Sequence, residues 1–467
     1  MSRGLLAWPA LLCAAVLAAA CSAPTLDNGV RTDYSSATLQ PGDELFLVQF
    51  SDEADLSGVE QIADWGERGR EVVRRLRETA GTSQAAAIDA ATRANARFVS
   101  LWISNSLVFA GTPELGPELA RLPGVAKVWQ EEVPAGLDDP VVPAPPFPDP
   151  GDGGWEVAAL GVPGLHAEGI DGRGVTIGII DTGVSSDHEA LRDGYRGRDV
   201  GDDHNWWSPI RTFRGQPTDV AGHGTAVAGL AVGDVIGVAT GAQWIAGIAC
   251  TESGCPLSGV VHAMQFMLAP TKVDETDPRP ELRPQIVNSS WVRAADDEPL
   301  RRASRALAAA GILQVYAAGN DGPDCGTASP VGEGDAFLSV GAVNESGALS
   351  SFSSRGPAPD GRTAPDVVAP GERVVTATRD GIYQEVSGTS FAAPLVAGVA
   401  ALMLQANPDL VGRPDEVARL LRTSAQPRPD TQCGQPSAAV GGVPNDALGW
   451  GFVSAPAAVS AARAWTG

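Results

Sequence analysis

Residues 386–404, VSGTSFAAPLVAGVAALML, constrain the chain more than any other stretch. Gly388, Thr389 and Ser390 read as a turn, and an apolar, Ala-rich segment of helical character follows. Ser390 then sits at a helix N-terminus, where unpaired backbone N–H groups and the helix dipole favour negative charge. That suits a nucleophilic serine, because attack on a carbonyl creates an oxyanion that needs such donors. The plain structural alternative is a small-residue turn before a core helix. The preceding chain decides between them.

From residue 155 to 467, short apolar strands alternate with helical segments. Strands are predicted at Val175–Asp181, Trp244–Ala249, Ile286–Ser290, Leu313–Ala317 and Phe337–Val340. Helices are predicted over 223–232, 258–268, 298–310, 390–404, 414–424 and 455–465. This alternation argues for a doubly wound α/β domain with a mainly parallel sheet. Ligands on such sheets gather at the carboxyl ends of the strands. Asp181 ends one strand and opens the turn Asp-Thr-Gly, and Asn320 follows the strand VYAAG. His223 lies in Ala-Gly-His-Gly-Thr, where glycines let another segment approach closely. Each has a plain reading as a turn or cap residue. Taken together they supply what Ser390 requires: a base to take its proton and a carboxylate to orient that base. The order Asp, His, Ser, with spacings of 42 and 167 residues, is one of three unrelated chain orders that carry this constellation.

DTGV at 181–184, GHGTAVAG at 222–229, AAGN at 317–320 and GTSFAAP at 388–394 resemble the signatures of the subtilisin-like serine peptidases. The likeness covers about 155–467. It implies a triad of Asp181, His223 and Ser390, with Asn320 as the oxyanion-hole side chain. It also implies that Ser290, Trp291, Val292, Ala317, Ala318 and Gly319 pair with substrate and wall the S1 pocket. DWGERGREVVRRLRETAGTSQ, HNWWSP, GAQWIAGIAC, MQFMLAP, VNSSW and SSFSSRGPAPDGR are similar to the bacillopeptidase F-type branch, which carries an N-terminal inhibitor-type prodomain. Val292 stands where that branch has glycine, which narrows the expected S1 pocket. Ala226 replaces a histidine usual after Gly-His-Gly-Thr, away from the triad. Ala190 holds a place where many relatives have a calcium-binding aspartate, so no calcium or other metal site is assigned; no cofactor is called for, and calcium bound elsewhere stays an open alternative.

Residues 44–132 fit that prodomain: a small α+β, ferredoxin-like sandwich. Its strands are predicted at Leu45–Phe50, Phe98–Ile103, Leu107–Phe109 and Val125–Gln130, and its helices over 59–79, 83–96 and 115–122. Residues 133–154 are rich in proline, glycine and aspartate, and read as an extended, cleavable linker. Ahead of the sandwich, residues 22–43 form a polar tether. Residues 1–21 combine Arg3, an apolar run from Leu5 to Ala20 and a small-residue end, the pattern of an export signal. Cys21 is a candidate lipidation site, although Ala18 stands where such signals usually have leucine.

With 33 basic and 56 acidic residues the formal charge is −23, unsuited to nucleic acid or anionic membrane surfaces. Membrane association is expected only through a lipid on Cys21. The expected partners are protein or peptide substrates and the chain's own prodomain as an inhibitor. Outside the signal four cysteines remain: Cys250, Cys255, Cys325 and Cys433. An exported chain can keep disulfides. Three pairings are open, and the short loop favours Cys250–Cys255 with Cys325–Cys433. Arg192 stands where a His-Glu-x-x-His zinc motif beginning at His188 needs its second histidine. A second Asp-Thr-Gly, needed by an aspartic peptidase, is absent. The alternative to an active enzyme is a silent, lipid-tethered binding protein on a peptidase fold.

Overall fold

The computed structural model describes residues 44–131, 154–292, 297–329, 336–433 and 441–467. The predicted signal and tether, and the linker up to residue 153, lie outside the described residues. The first described unit runs β1 (Glu44–Phe50), α1 (Trp65–Ser83), α2 (Ala85–Arg93), β2 (Arg97–Leu101), β3 (Ser106–Gly111), α3 (Leu115–Leu119) and β4 (Val125–Gln130). Its antiparallel sheet has the order β2-β3-β1-β4, as expected of a ferredoxin-like sandwich. The predicted first helix starts late. Val59–Gln61 form only a 3-10 turn and Ile62 is extended. Asp64 then caps α1 by accepting from the Glu67 N–H at 2.7 Å. Strand β2 is shorter than predicted, because Trp102 and Ile103 turn away and the Ile103 N–H donates to Gln265 Oε1 at 3.2 Å.

The larger unit runs α4 (Trp155–Ala159), α5 (Val162–Ala167), β5 (Thr176–Asp181), β6 (Trp206–Trp207), α6 (His223–Val232), β7 (Gln243–Ile248), α7 (Leu257–Leu268) and β8 (Ile286–Ser289). It continues with α8 (Glu298–Ala309), β9 (Leu313–Ala317), β10 (Phe337–Val343), β11 (Val367–Pro370), β12 (Val374–Ala377), β13 (Tyr383–Val386), α9 (Thr389–Ala406), α10 (Pro414–Ser424) and α11 (Ala455–Ala464). Seven strands form one parallel sheet in the order β11-β10-β9-β8-β5-β7-β6, while β12 and β13 pair as a separate hairpin. The doubly wound, mainly parallel architecture is therefore the one the alternation of segments implies. Strands β6 and β11, the β12–β13 hairpin and the short helices α4 and α5 were not expected.

Side-chain alternation along each strand divides the core. Ile177 and Ile179 of β5 join Val315, Leu338 and the helices α6 and α9 on one face. Ile180, one residue on, joins Ile245, Val287 and Tyr316 with α7 and α8 on the other. Helix α9 is long and apolar enough to cross a bilayer. It is instead buried against α6 and the strands β8–β11, as a core helix.

The first unit docks on the α7–α8 face. Val72, Val73, Leu76 and Trp102 belong to the same apolar cluster as Val260, Met264 and Leu307. Arg68 of α1 donates to the carbonyls of Ala309 at 2.6 Å and Gly412 at 2.8 Å. The buried Arg283 lies 3.5 Å from the Trp65 ring and donates to Ala310 O and Pro280 O. Cys250 is joined to Cys255, and Cys325 to Cys433.

Arg68 and Arg74 share α1 but not its environment. Removing Arg68 leaves two carbonyls at a closed interface without their donor, and such groups cost about 1–3 kcal/mol when left unmade. Arg68→Ala is expected to lower the free energy of denaturant unfolding by about that much. Arg74→Ala, which breaks exposed pairs with Glu71 and Glu78, should leave the midpoint nearly unchanged.

Candidate active site

Strand β5 has β8 on one side and β7 on the other, so chain connections leave it in opposite directions. Such a switch point opens a crevice at the carboxyl ends of the strands. Asp181 is the last residue of β5 and is buried there. Its backbone carbonyl accepts from the N–H groups of Ala249 at 2.8 Å and Cys250 at 3.1 Å, which fixes it to the end of β7. Its Oδ1 accepts from the Thr182 N–H at 2.7 Å and lies 2.7 Å from His223 Nδ1.

His223 opens α6. The approach of α6 to β5 requires glycine at the next position, because a Cβ on Gly224 would collide with the Gly183 carbonyl and sit 3.0 Å from Asp181 Cβ. The imidazole is buried and packs against Phe391, the residue after Ser390, with ring centroids 5.4 Å apart. His262 is a different kind of histidine. It stacks on Trp207 in the core, and burial pushes its pKa down to about 3.

Ser390 lies in the first turn of α9 and is 4% exposed. Its Oγ donates to the Ser290 carbonyl at 3.1 Å, and Ser290 Oγ donates back to the Ser390 carbonyl at 2.7 Å. This reciprocal pair fastens the start of α9 to the end of β8. Asn320 stands beyond β9, and its Oδ1 accepts from both the N–H and the hydroxyl of Thr389, at 2.9 and 3.0 Å. Thr389 Oγ1 also accepts from the Gly319 N–H at 3.1 Å, so its own proton is directed at Asn320. The oxygen end of the Asn320 amide therefore faces α9, and the Nδ2 end is turned away from it.

Comparison with known proteins agrees with this geometry. The model of the "Subtilase family" matches residues 172–451, more than half of the chain. The chain belongs to the subtilase family. It is 35% identical to Bacillopeptidase F of Bacillus subtilis over 66% of this chain and 22% of that protein. It is 30% identical to Serine protease AprX of Bacillus subtilis over 55% of this chain and 62% of the relative. It is 35% identical to Subtilisin-like protease PopC of Myxococcus xanthus over 57% of this chain and 58% of the relative. The chain thus covers less than two thirds of the length of each of these relatives.

Two residues of this subtilase that sequence reasoning did not single out hold the site together. Thr389 is one. Asp219, four residues before His223, is the other. The buried Asp219 carboxylate accepts from Thr182 Oγ1 (2.7 Å), Gly222 N (2.6 Å), Ala221 N (3.1 Å), Thr225 N (2.7 Å) and Thr225 Oγ1 (2.6 Å). Thr182 Oγ1 itself accepts from Gly224 N at 2.9 Å, and Thr225 Oγ1 from Ser185 N at 3.0 Å. Both hydroxyl protons are consequently committed to Asp219. Burial pushes its pKa up, and the hydrogen bonds from Thr225, Thr182 and Gly222 oppose that shift. The signal that could have found it is an acidic residue just ahead of a helix start.

The residues expected to pair with substrate differ in how their side chains are placed. The Trp291 indole is buried, donates to the Ile180 carbonyl at 3.1 Å and meets Tyr316 edge to face. Val292 is exposed, Ala317 and Ala318 are buried at the end of β9, and Gly319 follows them.

Asp219→Ala would strand five buried donors, and the fold is expected to lose roughly 3–5 kcal/mol in denaturant unfolding. Asp219→Asn, which cannot accept at every contact, should fall between that variant and the unaltered chain.

Proposed function

We propose that this subtilase is a serine endopeptidase that works through an acyl-enzyme and is made as an exported, self-processing proenzyme. The observation that carries the reading is the 2.7 Å contact of Asp181 Oδ1 with His223 Nδ1, at the strand edge where Ser390 begins α9. With Nδ1–H held by Asp181, the Nε2 of His223 is the basic nitrogen. It takes the proton of Ser390 as Oγ attacks the substrate carbonyl, then gives it to the leaving amine. Negative charge on the carbonyl oxygen is met by the Ser390 N–H and by Asn320 Nδ2, whose orientation Thr389 fixes. Water then attacks the acyl group by the reverse path. No cofactor or metal enters this sequence.

The bond between Ser390 Oγ and the Ser290 carbonyl is the resting arrangement, and a substrate backbone pairs along Ser290–Val292 and Ala317–Gly319 beside it. Exposed Val292 and the small residues at 317–319 suit a medium apolar P1 side chain. Residues 44–132 act as the inhibitor-type prodomain. Glu131, one residue beyond β4, supports this: its Oε1 accepts from the Ser258 N–H at the start of α7, which follows the loop leaving β7. Glu131 thus lies against the start of α7, on the same unit as Asp181. Export rests on residues 1–21, and a lipid on Cys21 remains part of the proposal.

Loss of one oxyanion donor lowers turnover by roughly 100- to 1,000-fold. Asn320→Ala is expected to do so in steady-state peptide hydrolysis with KM little changed, and a change confined to KM contradicts its role. Ser390→Ala should accumulate uncut when expressed alone, and trimming to the usual mature N-terminus in a peptidase-deficient host contradicts self-processing. Peptide-library profiling should show medium apolar P1 residues, with Val292→Gly extending the preference to large aromatics. A preference for Arg or Asp at P1 contradicts that pocket.

A further inference from the structure

Glu156 is a charged residue with no place in the catalytic scheme, and it is wholly buried. It lies in α4, two residues after Gly154, the last residue of the linker and the first after residue 131 that the structure describes. Its Oε1 accepts from the Val375 N–H of β12 at 3.2 Å, while Oε2 is buried with no hydrogen-bond partner. The charge facing it from the packed hairpin is Glu385 of β13, which is repulsive, and the nearby Arg373 is already paired with Glu385 at 2.9 Å. A buried carboxylate without a counter-charge is expensive, and here burial raises its pKa to about 7.

The carboxylate lies against the backbone of Gly154. A Cβ built on Gly154 would collide with both of its oxygens, so the carboxylate fills the space beside the Gly154 Cα, to which the Gly154 nitrogen is bonded. Trp155 anchors this corner by donating its indole N–H to the Arg373 carbonyl at 3.1 Å. In the uncut chain the Gly154 nitrogen is a neutral amide. Hydrolysis of the bond before it changes that: water adds, the Gly153 carbonyl leaves as a carboxylate, and the Gly154 nitrogen gains protons to become an ammonium.

We propose that Glu156 receives the α-ammonium group of Gly154, and that maturation ends with cleavage between Gly153 and Gly154 and formation of this buried ion pair. The inference rests on the peptidase reading above and adds the position of the last cut, an intramolecular one at which tethering of the linker, rather than the apolar P1 preference for free peptides, presents Gly153, and what holds the new end. A longer N-terminus carries its charge out of reach, leaving an amide at residue 154. The pair supplies the partner that Oε2 lacks and makes the cut form more stable than its precursor at this corner.

The sign of the pH dependence differs between the two forms. In the uncut chain a carboxyl with a folded pKa raised from 4.5 to about 7 costs stability progressively as pH rises above 4.5. In the cut chain the pair stabilises at neutral pH and is lost as pH rises through the elevated pKa of an amine whose unperturbed value is about 8.

The test uses four proteins: the uncut Ser390→Ala chain and the mature enzyme inactivated with a serine-directed fluorophosphonate, each with and without Glu156→Gln. Intact mass should place the mature N-terminus at Gly154. At pH 7 Glu156→Gln should lower the thermal midpoint of the mature form by roughly 2–6 °C and leave unchanged or raise that of the uncut form. At pH 10 the difference in the mature form should disappear. A mature N-terminus elsewhere, or an equal shift in both forms as a purely structural cap would give, overturns the proposal while leaving self-processing intact. If a host peptidase trims Ser390→Ala to Gly154, self-processing fails and the ion pair stands. An active chain that is never cut overturns both.

Discussion

The carboxylate of Asp219 is the constraint on which the geometry of the site depends. It joins Thr182, adjacent to Asp181 at the end of β5, to Gly222 and Thr225, which flank His223 at the start of α6. Strand end and helix start are thereby fixed to one another through a single buried acceptor. The 2.7 Å contact between Asp181 and His223 is a consequence of that fixation. A carboxylate so buried is costly unless it is fully hydrogen-bonded, and five donors meet that requirement. The polar cluster is therefore rigid, as a site that must hold a base in one orientation needs to be.

A second set of contacts holds the side on which Ser390 lies. Ser290 and Ser390 exchange hydrogen bonds through hydroxyl and carbonyl, and Thr389 holds Asn320. Both sets lie in the first turn of α9, whose remaining turns are buried against β8–β11 and α6. The apolar core thus positions the chemistry: α9 cannot shift without disrupting its packing, and Ser390 and the Asn320 amide move only with it.

Much of this was legible in the sequence. Asp181, His223, Asn320 and Ser390 sit in short glycine-bearing motifs at strand ends and helix starts, and hydrophobic alternation marked most of the sheet. What was not legible depends on tertiary neighbours. Asp219 and Thr389 look like ordinary polar turn residues until their partners are placed around them. Strand β11 has four residues and ends in proline, and β6 has two, so neither carries a readable period. Trp291 stands in a motif associated with substrate, but β8 directs its indole into the core. Helix α1 begins at Trp65, after the Asp64 cap, because capping outweighs the apolar pattern that starts at Val59. Glu156 gives no sequence signal at all, since an acidic residue near a helix start is ordinarily exposed.

The central claim is that Ser390 is a nucleophile activated by His223 at this strand edge. Stoichiometric labelling with a fluorophosphonate, followed by peptide mass mapping, tests it most directly. The account predicts one adduct per mature chain, on the peptide that contains Ser390, and none in His223→Ala. An adduct on another residue, or labelling of Ser390 that persists without His223, would contradict it.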